Sequence, residues 1–334
     1  MIPYPLTFDP ILKKKVWGGR RFEKLNKALP QGVNIGESWE IADLASTSAD
    51  GAGGDEARSV IAHGPMRGIT LSDAIRAEGP NLMGSFRLGP DGCFPLLVKF
   101  LDARENLSVQ VHPSAAYAAA HPGSHLKTES WYILGAEPGA KIYKGVKKGV
   151  TPKSFAAHIA DGTVVNDLIA IDVKPGDFHH LPSGTVHAIG AGVLIAEIQC
   201  PSDTTFRVFD WGRTSRALHV QQALECIDFT GKLDQSPTAA SPDHSRHRHL
   251  VTTDYYAINE LRLGAGEPEH VRVGGRAPKI WMCVSGGGVL RSQRGEYPDT
   301  PVRAGDTLLL PASLGAATFT PQAPTVILDV VLPT

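Results

Sequence analysis

One pattern occurs twice in this chain. "PGDFHHLPSGTVHAI", from Pro175, is echoed by "AGDTLLLPASLGAAT", from Ala304. Gly176-Asp177 aligns with Gly305-Asp306, and Pro182 with Pro311. Upstream, "ESWYILGAEPGA" from Glu129 matches "KIWMCVSGGGVL" from Lys279, with Trp131 over Trp281. Each copy reads as a strand, a glycine-containing turn and a later G-D hairpin, so the fold must accommodate one β unit twice. The rest of the chain agrees. Short β-rich runs (FPLLVKFLDA, LSVQVH, WYILGA, IAIDV, GVLIAEIQ, YYAINELRL, KIWMCVSG, DTLLLPA and TVILDVVL) are separated by turn residues drawn from 35 glycines and 25 prolines in 334 residues. Strands of this length between turns point to a sandwich or barrel. Helical signals are few. TLSDAIRAEG has a Thr70 or Ser72 cap and Gly79 near its end, TPKSFAAHIADG starts at Thr151 and ends near Gly162, and ALHVQQALECIDF is the third.

The repeated unit resembles the two-motif pattern of the cupins, small double-sheet jelly rolls. The expected fold is mainly β. A double-stranded β-helix (cupin/jelly-roll) catalytic domain with short helical segments spans 1–233. A linker spans 234–249, and a second, degenerate cupin-like β domain spans 250–334. The boundary is read from QSPTAASPDHSRHRH, which is polar and lacks an apolar period, so His244, His247 and His249 read as solvated loop residues. The two copies differ where chemistry would sit. Lys279 stands in place of Glu129, and Ala316 in place of His187. A scaffold needs neither ligand-type side chain, so the difference places chemistry in the first copy.

In "ENLSVQVHPSAAYA", Ser108, Gln110 and His112 share one strand face, Leu107, Val109 and Val111 the other, and Pro113 ends the run. Glu129 opens a later strand, and His187 follows a Pro-Ser-Gly-Thr turn. Strand ends of a jelly roll can bring these residues to one mouth. Two imidazoles, a carboxylate and an amide oxygen suit Zn²⁺, and the two-His-one-carboxylate set equally suits non-haem Fe(II). His179 and His180 are adjacent, so at most one of them faces the interior. Lys127, two residues before Glu129, belongs to the same face or to solvent. Arg207 fits recognition of a phosphate or stabilisation of an oxyanion, against a surface salt bridge of little worth. Glu197, a carboxylate in the apolar VLIAEIQ, needs a partner or a task.

Lys+Arg (33) and Asp+Glu (34) balance, with no long basic run, so nucleic-acid and membrane-surface partners are not expected. The four cysteines form no CxxC pair, which argues against a disulfide framework or thiolate zinc site. The N-terminus carries no long apolar segment, and no run approaches the ~18 apolar residues of a membrane helix. A reducing cytoplasm is the expected location.

"FPLLVKFLDARENLSVQVHP", "KTESWYIL", "LPSGTVHAIG", "EIQCPSDTTFRVFDWGR", "IGESWEIADL" and "KKVWGGR" resemble the core motifs of the class I mannose-6-phosphate isomerases. The match is best to the short bacterial branch, which lacks the large helical insertion of fungal members. It covers roughly 6–44 and 94–213, and is architectural from about 250 onward. The resemblance implies a zinc-dependent aldose–ketose isomerase that interconverts mannose 6-phosphate and fructose 6-phosphate through an enediol. One Zn²⁺ per chain would be held by His112, Glu129 and His187, with Gln110 as a further ligand in many members. The active-site arginine falls on Arg207, and the Ser and Lys near the substrate phosphate fall on Ser108 and Lys127. The acidic residue after the last His falls on Glu197, the first candidate for the base, with a metal-bound water the second. Lys127, Arg207 and Glu197 thus form the expected catalytic set, and Ser108, Lys127 and Arg207 the substrate-binding set, for a small phosphosugar. An Fe(II) dioxygenase, a non-catalytic sugar binder and an isomerase of another phosphosugar are the rival readings. The cations and Glu197 weigh against a mere binder.

Overall fold

A computed structural model describes residues 4–48, 54–89, 92–231 and 245–333 of the chain. The β-rich runs are strands: Leu97–Ala103, Val109–Val111, Glu129–Ala136, Leu168–Asp172, Val193–Gln199, Ala257–Leu263, Lys279–Ser285, Thr307–Leu310 and Thr325–Val331. They build two double-sheet units. In the first, a six-stranded sheet runs in the order Phe178–Leu181, Glu129–Ala136, Val193–Gln199, Leu97–Ala103, Glu37–Ile41, Ile11–Lys13. It faces a five-stranded sheet ordered Leu168–Asp172, Lys141–Val146, His187–Ile189, Val109–Val111, Phe206–Phe209.

The second unit repeats this order. Its sheets run Thr307–Leu310, Lys279–Ser285, Thr325–Val331, Ala257–Leu263, His247–Thr252, and Thr300–Arg303, Gly287–Ser292, Gly315–Pro321, Glu269–Val273. Register repeats as well: Trp131 lies opposite His179 and Glu197, and Trp281 opposite Leu308 and Asp329. The expected mainly-β jelly-roll class is what the chain adopts. No helix among the described residues is long and apolar enough to cross a membrane.

Packing explains the alternation in LSVQVH. Val109 and Val111 bury outward with Phe155, Val164, Val208 and Ala223, under the helices Pro152–Ala160 and Val220–Cys226. Gln110 therefore points into the first unit. The second unit's interior is filled by Trp281, Cys283, Leu290, Leu308, Phe319 and Ile327. A third cluster joins the units, setting Phe100, Tyr132 and Ile198 against Ile258, Met282 and Leu328. Leu6 and Leu309 exchange both backbone hydrogen bonds, at 2.8 and 2.9 Å, so the N-terminal segment pairs with the second unit.

Four expectations change. The first helix is capped by Thr70, whose Oγ1 accepts from the Asp73 N–H at 3.1 Å, but it runs Leu71–Met83, past Gly79. It bends at Glu78 and carries Pro80, and burial of Leu82 and Met83 in the joint core carries it on. A short helix, Ala115–Ala120, follows Pro113 unannounced. Ser114 caps it on the Tyr117 N–H, and alanine propensity suffices for a single extra turn. The linker ends earlier than 249, because His247–Thr252 is a strand in which Arg248 and Leu250 turn inward between exposed His247 and His249. Residues 234–244 of the expected linker lie outside the described residues. Finally, Ala316 is not the interior counterpart of His187. It lines a surface cleft with His270 and Arg272, while Ala317 is the buried one, since the second hairpin turns one residue later. Either way, an alanine carries no ligand atom.

The "WGG" turn fastens the N-terminal segment to the first unit. A Cβ on Gly18 would lie 2.5 Å from the Gly36 nitrogen, and one on Gly19 would lie 2.5 Å from Asp102 Oδ2. Just beyond, the Arg21 backbone N–H and Nε each donate to buried Asp102 at 2.6 Å, and its guanidinium reaches the Gly192 and Val193 carbonyls. Gly18→Ala is expected to destabilise the fold by about 1–3 kcal/mol, the range for overpacking. Urea unfolding measures it, and an unmoved midpoint would show that the turn is not constrained.

Candidate metal centre

Cross-strand pairing sets two rows of polar side chains face to face. In the five-stranded sheet Arg207 lies opposite Gln110, Gln110 opposite His187, and His187 opposite Lys144. In the six-stranded sheet Trp39, Lys99, Glu197, Trp131 and His179 follow one another across the strands. Glu129, two residues before Trp131, shares its face. His112 follows directly on Val109–Val111. His179 is buried on the interior face, whereas His180 lies on the other face, its Nδ1 2.9 Å from Ser130 Oγ.

His112, Glu129 and His187 each offer a ligand atom within 4.8 Å of the others. His112 Nε2 is 3.3 Å from Glu129 Oε2, and His187 Nε2 is 3.2 Å from Glu129 Oε1. Gln110 Nε2 lies 3.4 Å from His187 Nε2. Two ligand atoms each ~2.0 Å from a tetrahedral zinc lie ~3.3 Å apart, the size of these neighbouring spacings, with Glu129 meeting the two imidazoles through different oxygens. The side-chain amide is nearly symmetric, and a half-turn would present its oxygen in the same place. Each imidazole sets its Nδ1 against a backbone carbonyl, His112 on Thr204 at 2.9 Å and His187 on Thr185 at 2.8 Å. With the proton held there, both Nε2 lone pairs face inward. His112 Nε2 and Glu129 Oε2 are buried, and their close approach lacks hydrogen-bond geometry, a state that a cation between them would resolve.

Protonation fits the same reading. Burial, helped by the Lys127 ammonium, pushes His112 down to about 3, and burial likewise pushes His187 down. Burial opposes the Glu129 charge, but Lys127 and the two imidazoles outweigh it and hold the carboxyl well below its usual range. Neutral imidazoles with an ionised carboxylate form a set ready for metal.

Charge continues outward as an alternating ladder. Lys127 Nζ is 2.8 Å from Glu129 and 3.9 Å from Glu197, Lys99 Nζ is 3.4 Å from Glu197 and 3.7 Å from Glu37, and Lys15 Nζ is 3.1 Å from Glu37. Trp39 steadies it, donating Nε1–H to Glu37 at 2.6 Å and lying 5.1 Å beneath the Lys99 ammonium. Burial raises Glu197 above the ordinary carboxyl value, Lys99 opposes this in part, and the Glu129 charge adds to it.

A cavity of about 260 Å³ opens over this ladder, lined by Ser108, Gln110, Lys127, Glu197 and Arg207 of the expected set. Gln110 and Lys127 connect it to the ligand residues. Ser108 Oγ donates to Gln110 Oε1 at 3.1 Å, and Arg207 Nη1 donates to the Ala217 carbonyl at 2.9 Å. Lys15, Glu37, Lys99 and Asp203 also line the cavity and were not singled out from the sequence. Lys99 had a signal. It is the charge inside the apolar LLVKFL, the same feature that drew attention to Glu197. Asp203 sits in a turn-like PSDTT and accepts from the Ser48 N–H at 2.8 Å and hydroxyl at 2.9 Å, a pairing that only the fold creates.

The family model described as "Phosphomannose isomerase type I, catalytic domain" matches residues 6–138. The mannose-6-phosphate isomerase of Streptococcus mutans is 34% identical, covering 94% of this chain and 95% of its own. Mannose-6-phosphate isomerase ManA of Bacillus subtilis is 33% identical over 94% and 95%. The crystal structure of the mannose 6-phosphate isomerase from Bacillus subtilis superposes with a TM-score of 0.83 at 27% identity, over 98% of this chain and 99% of that one. A zinc-bound mannose 6-phosphate isomerase shares the fold at a TM-score of 0.75 and 16% identity, over 99% and 100% of the two chains. With a third of its residues shared over nearly the full length of such relatives, the chain belongs to the type I mannose-6-phosphate isomerase family.

Proposed function

We propose that the chain interconverts D-mannose 6-phosphate and D-fructose 6-phosphate through an enediol, with one zinc ion per chain held by His112, Glu129, His187 and Gln110. The observation that carries this is the convergence of these side chains, with ligand atoms 3.2–3.4 Å from their neighbours, directly beside the cavity that Glu197, Lys127 and Arg207 line. Zinc suits the donor set and supplies Lewis acidity toward the sugar oxygens. The chain's own residues supply the rest. The C–H beside a carbonyl is a weak acid, so its removal needs a base and a stabilised oxyanion. Glu197 is the base, since its raised pKa makes it a stronger proton acceptor than an exposed carboxylate, with Lys99 opposing that rise in part. Arg207, charged at any working pH, faces the enediolate oxygen. Ser108 and Lys127 bind the substrate. The 2.8 Å contact between the Lys127 ammonium and Glu129 supports a reading in which Lys127 serves the reacting end of the sugar.

A coupled assay for fructose 6-phosphate from mannose 6-phosphate tests the reading. Treatment with a chelator and His112→Ala are each expected to remove activity, and added zinc restores only the wild type. Full turnover after chelation overturns the metal assignment, and activity that requires iron and oxygen points instead to the dioxygenase.

Arg207→Lys is expected to lower kcat by about 10²–10³-fold, the loss typical of one oxyanion donor, with a folded protein by circular dichroism. Wild-type turnover would remove Arg207 from the mechanism.

The pH profile tests Glu197. A base must be ionised, so kcat/KM falls as pH drops through its raised pKa. Lys99 lowers that pKa, so Lys99→Met is expected to move the acid limb to higher pH. A limb that stays in place would exclude Glu197 as the titrating base.

A further inference from the structure

The strand Glu129–Ala136 carries the central carboxylate and has two faces. Glu129 and Trp131 face the cavity, so Ser130 and Tyr132 face away from it. Both meet the second unit. Ser130 Oγ is 3.0 Å from Tyr256 Oη, and Tyr132 Oη donates to Glu260 Oε1 at 2.6 Å. Tyr256 and Glu260 belong to the second unit and are fully buried. Glu260 Oε2 forms ion pairs with Arg248 Nε at 2.6 Å and Arg262 Nε at 3.0 Å, Arg262 Nη2 donates to Glu260 Oε1 at 3.1 Å, and Arg248 Nη2 donates to the Gly176 carbonyl at 3.2 Å. That carbonyl lies in the hairpin whose next strand, Phe178–Leu181, pairs with Glu129–Ala136.

Buried ion pairs gain little net stability over apolar packing of the same volume. The surrounding cluster of Phe100, Ile198, Ile258 and Leu328 shows that this joint could be wholly apolar. A charged anchor instead fixes position, because hydrogen bonds constrain distance and angle where apolar contacts allow sliding. Glu129 gains most from such fixing, since its two oxygens must each stay 3.2–3.3 Å from an imidazole.

We infer that Tyr132, Tyr256 and Glu260 are positioning residues for Glu129, and that the second unit, though it lacks a ligand set, holds the metal-binding strand of the first in place from behind. The inference rests on the metal reading above. It makes the second unit part of the catalytic apparatus without any contact to substrate.

The test is zinc affinity, measured by competition with a chromogenic chelator on the full chain. The double variant Tyr132→Phe/Tyr256→Phe removes both hydroxyls without changing shape. Its zinc Kd is expected to rise at least tenfold, the lower range for groups that orient metal ligands, with kcat reduced and KM within about twofold. Phe319→Leu, in the second unit's separate core, lowers stability without touching the strand and is expected to keep wild-type zinc affinity. Ser130→Ala, the mildest change, should weaken zinc in the same direction. Wild-type affinity in the double variant, or an equal loss in Phe319→Leu, overturns the inference. A wild type that does not bind zinc at all overturns the metal reading itself, and this inference with it.

Discussion

Glu129 is a carboxylate that has been taken out of water. Such a charge persists in a protein interior only if charged or hydrogen-bonding groups surround it. The Lys127 ammonium at 2.8 Å is one such group, and a cation held between Glu129 and the inward-facing nitrogens of His112 and His187 would be another. Lys127 is shared with Glu197, which leans on Lys99, which leans on Glu37 and so on Lys15. Each charge is therefore compensated by its neighbours, and the geometry of the whole cavity wall follows from keeping this order. The Trp17-Gly18-Gly19 turn and the strand Glu37–Ile41 complete the wall by delivering Lys15, Trp39 and Glu37 to its outer end.

The second unit shows what the same backbone does without that constraint. Trp281 occupies the register position of Trp131, and Asp329 that of Glu197. There the acid closes on its neighbours. Trp281 donates to Asp329 at 2.8 Å, and Lys279, standing where Glu129 stands in the first unit, reaches Asp329 at 3.2 Å. The set is neutralised locally, and leucine and phenylalanine fill the space behind it. In the first unit Glu197 turns to Lys99 instead, and Trp131 Nε1 has no hydrogen-bond partner among the described residues. One unit is thus a packed barrel, and the other keeps its polar groups pointed at a cavity.

Much of this was legible in the sequence. The repeated G-D hairpin and the paired tryptophans disclose the duplication, because turn geometry and aromatic packing depend on local residue type. The alternation around Gln110 discloses a half-polar strand because side chains change face at every step. Other features stayed hidden for physical reasons. ESWEI is buried on both faces and shows no alternation. The strand at His247 looked like linker because its outward residues are histidine and one of its buried residues, Arg248, is charged, made tolerable by Glu260 in the neighbouring strand and the Gly176 carbonyl. The helix over Gly79 and Pro80 ran on because tertiary burial of Leu82 and Met83 outweighs two poor helix formers.

By itself, the sequence determined the β class, the doubling of the unit and the identity of the residues able to bind a divalent ion. These depend on residue type and short-range periodicity. Only the tertiary structure decided which groups stand next to them: Lys99 and Glu37 beside Glu197, Asp203 against Ser48, Lys127 against Glu129, and Tyr132 against Glu260. Except for Lys127 and Glu129, each of these contacts joins residues far apart in the chain. Electrostatic and hydrogen-bond energies fall off over a few ångströms of space, and no spacing along the sequence records such distances.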